Sequence, residues 1–178
     1  MMNTTIKRLM AEPIREFRLP RYGELPDMGL YLEQVVKYVN TRLAPLGCLE
    51  ITPSMVSNYV KKNVIAKPVK KQYYAEHIAY LFFVIFAKNL ASIEDIGLLI
   101  TMQQQSYTLP VAYDYLCDEM ENMLAYVFGL KDTQDELGVT QSDEKALMRN
   151  LIFSSAHVIH MNAWFRQLRS QNDSEPET

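Results

Sequence analysis

The sequence is poor in glycine, with six in 178 residues, and carries two cysteines and a single tryptophan. So few glycines leave few of the flexible turns that a many-stranded protein needs. With ten methionines and abundant Leu, Ala, Glu and Lys, the balance tips toward helix. Cys48 and Cys117 lie far apart and outside any CxxC spacing, which argues against a disulfide framework and for free thiols in a reducing cytosol. The longest apolar run, Ile78 to Ala87, falls well short of the roughly 20 residues that span a bilayer. The N-terminal stretch MMNTTIKRLM has neither the apolar run nor the small-residue cleavage site of a signal peptide. GxSxG, P-loop, GxGxxG and HExxH patterns are also missing, so neither an enzyme nor a cofactor is expected. A soluble, cytoplasmic protein without a membrane partner is the expectation.

One further absence is local. From Ile51 to Tyr74 the chain reads ITPSMVSNYVKKNVIAKPVKKQYY, with five lysines and no acid. The whole-chain net charge of −3 hides this asymmetry. Residues 1–100 hold 13 Lys/Arg against 9 Asp/Glu, a net of +4, while residues 101–178 hold 5 against 12, a net of −7. A basic front and an acidic back suit a protein whose front half meets a polyanion.

Thr52-Pro53 is a good helix start, because the threonine hydroxyl can cap free N–H groups and proline's fixed φ suits the first helical position. From there Ser54, Ser57, Asn58, Lys61 and Lys62 share one face, and Val56, Tyr59 and Val60 point the other way. The helix is expected to end at Lys62 or Asn63, since asparagine tolerates the left-handed conformation of a helix terminus. Residues 67–73 then read as a short, basic, extended strap. On this pattern Ser54, Ser57 and Asn58 are candidates for DNA base edges, and Lys61, Lys62, Lys67, Lys70, Lys71 and Tyr73 for phosphates. The bland reading of the same residues is a solvated lysine-rich face.

The surrounding pattern is helical throughout. Residues 1–27 hold prolines at 13, 20 and 26 and read as an irregular arm with a short helix at most. A helix is expected from Met28, capped by Asp27, to near Ala44. Tyr74–Asn89 is apolar nearly all round and must be covered on most sides. Ser92-Ile93-Glu94-Asp95 opens another helix with a spacing close to a capping box. Two longer helices, about Pro110–Phe128 and Ser142–Arg169, complete the chain before the polar tail QNDSEPET, which is expected to be disordered. Asp118, Glu119 and Glu121 read as a solvated face. His157 and His160 stand one helical turn apart, more simply packed than metal-bound. Tyr126, Phe128, Trp164 and Phe165 are candidates for an effector pocket or, more simply, for core or dimer packing.

These residues resemble the winged helix-turn-helix of MerR-type transcription regulators. The likeness runs over about residues 30–101. Val56 matches that family's buried leucine, Tyr59 its second tyrosine and Asn63 its helix-ending glycine; Lys71-Gln72-Tyr73 is similar to its R-x-Y, and Ser92–Ile96 to its S-L-E-E-I. Ser57 and Asn58 stand where that family carries arginine and tyrosine. The closer similarity is to an uncharacterised bacterial family, domain of unknown function 1836, around S-M-V-S-N-Y-V-K-K and K-K-x-Y. The resemblance implies an all-α protein in parts: an arm (1–27), a MerR-like helix-turn-helix domain (28–104), a C-terminal pair of long helices for dimerisation or an effector (105–170), and a tail (171–178). It implies a homodimer that binds double-stranded DNA and regulates transcription; a small effector held by the aromatic residues of the C-terminal helices is a separate expectation. The alternative is a protein–protein adaptor built on the same scaffold.

Overall fold

The computed structural model describes residues 4–135 and 142–172. The described residues are all-helical, with seven α-helices and no strand beyond two isolated bridges. They are α1 (Thr4–Arg15), α2 (Leu32–Leu43), α3 (Pro53–Lys61), α4 (Ala75–Ala87), α5 (Ile93–Ser106), α6 (Leu109–Val127) and α7 (Asp143–Asn172). Single 3-10 turns follow residue 21 and close α2.

The apolar helix α4 is the hub. Every residue from His77 to Ala87 is buried, as its lack of a polar face requires, and α2, α6 and α7 pack around it. α6 and α7 pack most extensively and run parallel. Lys145 meets the Tyr115 ring, Arg149 meets Glu119, and His160 meets Phe128, in the same order along both helices. Residues 129–135, which follow α6, turn back along it, and the Asn122 amide donates to the Asp135 carbonyl at 3.1 Å. Beyond the end of α6, α7 continues onto α1 and the turn after α2. There the Arg166 guanidinium donates to the Leu46 carbonyl at 3.1 Å, beside Gly47, whose φ of +68° suits a residue without Cβ. One cluster of buried apolar side chains runs from Ile6 to Ala163. No described helix is long and apolar enough to cross a membrane.

Four expectations need correction. The arm holds a real helix, α1, although Pro13 lies inside it. Pro13 falls in the last turn and removes little helical bonding, while Ile6, Met10 and Ile14 recur every four residues and are buried. α2 starts at Leu32, not Met28, because Leu30 is taken up in a bridge to Tyr73. The acids of α6 are not simply a solvated face: of Asp118, Glu119 and Glu121 only Asp118 is exposed. Glu119 is fully buried on Arg149 at 2.8 Å. The Arg21 guanidinium reaches both Glu121 oxygens, at 2.7 and 2.8 Å, and Asp118 at 2.6 Å. Asp114 accepts from the Tyr22 N–H, so α6 clasps the segment between α1 and α2. The tail expected to be disordered reads differently at its start: α7 runs to Asn172, and residues 173–178, like Gly138 in the α6–α7 connection, lie outside the described residues.

Candidate nucleic-acid interface

α3 forms where its caps dictate. The Thr52 hydroxyl accepts from the Met55 N–H at 3.2 Å, and Pro53 takes the first position. At the other end Asn63 adopts φ +57°. The Asn63 and Val64 N–H groups donate to the carbonyls of Val60 and Tyr59, both at 3.0 Å, which is a Schellman termination. Val56 and Tyr59 are buried while Ser54, Ser57, Asn58, Lys61 and Lys62 are exposed. The two faces are thus divided as the spacing requires. The Ser57 hydroxyl donates to the Pro53 carbonyl of its own helix at 2.9 Å.

Asn40 of α2 sets the entry to α3. Its amide donates to the Ile51 carbonyl and accepts from the Ile51 N–H, each at 2.9 Å. This side chain satisfies both backbone groups of one residue, as a strand neighbour would, and so fixes where α3 begins.

The strap folds into a two-residue hairpin. Val69 and Gln72 exchange backbone hydrogen bonds of 3.0 and 2.9 Å, and the residues between them, Lys70 and Lys71, have φ of +49° and +66°. Positive φ at both central positions is the type I′ turn, for which Asn-Gly is the favoured pair. Here two exposed lysines occupy it. Tyr73 then pairs with Leu30 through two 2.8 Å backbone bonds. Gly29 permits this approach, since a Cβ there would stand 2.7 Å from the Gln72 Cβ.

His77 anchors the strap and gave no signal in the sequence beyond its place in the third position of α4. It is buried. Its Nδ1 accepts from the Tyr74 N–H at 3.0 Å. The proton therefore sits on Nε2, which faces the Lys67 carbonyl at 3.3 Å. Its ring also meets Tyr73 edge-on, with centroids 5.5 Å apart.

Lys61, Lys62, Lys67, Lys70 and Lys71 are all exposed, and none forms an ion pair with a described residue. Tyr73 differs. It is buried, and burial raises its phenol pKa. It is a packing residue of the strap, and its expected phosphate contact is withdrawn.

The family described as Domain of unknown function (DUF1836) matches residues 20–116. The chain belongs to this family. The DUF1836 match begins at the segment clasped by α6, takes in α2, α3, the hairpin, α4 and α5, and ends within α6. No curated protein and no solved structure matches the chain.

The other candidates separate. His157 packs edge-on to Phe153 with centroids 4.5 Å apart, and His160 to Phe128 at 4.9 Å. Among the described residues no three His, Cys, Asp or Glu side chains gather as a metal site. Phe128 is buried, Phe165 exposed, and Tyr126 and Trp164 half-buried, so these four are divided between core and surface. A cavity of about 200 Å³ lies elsewhere, between α5, α6 and the start of α7, lined by Leu99, Met102, Tyr107, Val111, Tyr115 and Met148. The Tyr115 hydroxyl is buried without a hydrogen-bond partner among the described residues. Burial, and then Glu119, push its pKa up to about 12. Cys117 is a free thiol, buried and likewise pushed up to about 12.

Proposed function

We propose that this DUF1836 protein binds double-stranded DNA and regulates transcription, with α2 and α3 acting as a MerR-like helix-turn-helix and the Lys70-Lys71 hairpin as its wing. The observation that carries the reading is a set of five exposed lysines on α3 and its strap with no acidic partner among the described residues. Unpartnered lysines are what phosphate pairing uses. In this reading Ser54 and Asn58 face base edges from the exposed face of α3, with Asn58 suited to adenine. Lys61 and Lys62 flank them, and Lys67, Lys70 and Lys71 rest on the adjoining backbone. Two copies reading half-sites one helical turn apart complete the mechanism.

Selection of bound duplexes from a random library at near-physiological salt tests the reading. Wild type is expected to enrich a two-part motif. Lys61→Glu with Lys71→Glu should abolish binding while leaving the thermal midpoint and helical circular dichroism unchanged, because both residues are exposed. A library that returns no enrichment contradicts the reading.

One observation favours the alternative of a protein–protein adaptor. Ser57 stands where MerR-type proteins have arginine, and its hydroxyl is turned onto its own helix. Recovery of a stoichiometric protein partner, together with no duplex binding, would select that reading. In either case a small effector would find its space in the cavity beside Tyr115. A mainly apolar molecule with one hydrogen-bonding group matches its lining, and binding would raise the melting midpoint in proportion to ligand concentration over Kd.

A further inference from the structure

α7 carries two apolar faces. One is buried in the core through Ile152, Ala156, Ile159 and Ala163. The other is turned away from the core, with the buried Leu151 at its border: Leu147, Leu151, Val158, Met161, Phe165 and Leu168 follow one another in steps of three, four or seven residues. Steps alternating three and four make the seam of a coiled coil. Four of the six, Leu147, Met161, Phe165 and Leu168, are about half exposed. The seam is ~32 Å long at 1.5 Å per residue.

The two halves of this seam differ in shape. Beside the first half, Leu90, Leu98 and Met102 rise from α5 and the turn before it. With Leu147 and Leu151 they enclose a groove of about 530 Å³ with Asp95 on its border. Along the second half, Met161, Phe165 and Leu168 stand out as a ridge. Charge differs as well: Asp143 and Glu144 open the helix, and Arg169 lies in its last turn.

We infer that α7 is the contact between two copies of this chain, packed antiparallel about a two-fold axis near Val158, with the Met161–Phe165–Leu168 ridge of each copy seated in the Leu90–Leu98–Leu147 groove of the other. The occupant is a second copy because ridge and groove lie on one face of one helix at opposite ends. A perpendicular two-fold brings each onto the other and closes the assembly. The same axis sets Arg169 of one copy against Asp143 and Asp95 of the other. A parallel arrangement would stack Phe165 on Phe165, leave both grooves empty and place like charges side by side. The contact stands on packing and charge, so it holds whether or not α3 reads DNA.

The test is sedimentation of the full chain without DNA over a concentration series. Wild type is expected to form a dimer. Phe165→Glu on the ridge and Leu98→Lys in the groove should each raise the dimer dissociation constant on the order of a hundredfold, as loss of a buried anchor does. Helical circular dichroism and thermal midpoint of the monomer should be unchanged, since both residues face solvent in one chain. In a Cys48→Ser background, Leu147→Cys protein mixed with Leu168→Cys protein should give the mixed disulfide, and neither alone should cross-link. A wild type that stays monomeric, a dimer indifferent to both charge substitutions, or self-cross-linking of Leu147→Cys would each overturn the inference. Because no DNA is present, failure here is distinct from failure of the DNA reading.

Discussion

At the tip of the hairpin two lysines hold a backbone conformation that asparagine and glycine adopt at lower cost. Left-handed φ costs an ordinary residue about 1–2 kcal/mol, and Lys70 and Lys71 both have it. Strain kept at an exposed turn points to a use for the side chains. The double substitution Lys70→Asn with Lys71→Gly should therefore raise stability by about 1 kcal/mol in denaturant unfolding while weakening duplex binding. Gains in both would refute the argument from strain. At His160, burial and then the neighbouring His157 hold the imidazole pKa below its ordinary value. The unfolded chain thus takes up the proton first, and stability is full above the ordinary imidazole value and declines as pH falls through it. Between about pH 7.5 and pH 5 the thermal midpoint should drop, and His160→Asn should flatten part of that drop.

Among the helices, α3 was the most legible in the sequence, since its signals are local: Thr-Pro to start it, asparagine to stop it, and two faces of opposite character. The same holds for Ser92, whose hydroxyl accepts from the Asp95 N–H at 3.1 Å as the spacing suggests. α1 was not legible, because prolines at 13, 20 and 26 mark the segment as irregular, and its burial against α6, α7 and the turn after α2 is visible only in three dimensions. Nor was the role of Glu119. A run of acids on one helix looks solvated until the partners are known, and Arg149 lies 30 residues away. That pair yields a sharp expectation. Arg149→Leu leaves a fully buried carboxylate unpaired and should cost about 3 kcal/mol, whereas adding Glu119→Leu should restore most of it. Equal losses for the single and the double variant in denaturant unfolding would contradict a buried pair. The hairpin was legible as a basic strap, but its dependence on His77 was not, because a histidine joined to the Lys67 carbonyl is visible only in three dimensions.

For the whole molecule, parallel packing of α6 and α7 places the exposed seam of α7 on the side away from the core, while α2, α3 and the hairpin are held through α4 and through Arg166 at the turn after α2. Placing Asn40, Thr52 and His77 at the ends of α3 and its strap leaves the lysines unencumbered by the fold. In the proposed function these lysines pair with phosphates. The most direct measurement is the dependence of duplex affinity on salt for wild type and Lys62→Ala. Each phosphate neutralised contributes about 0.9 to the slope of log affinity against log salt. Wild type should show a steep negative slope, and Lys62→Ala a slope shallower by about 0.9 for each copy bound. A flat wild-type slope, or one that Lys62→Ala leaves unchanged, would contradict the claim.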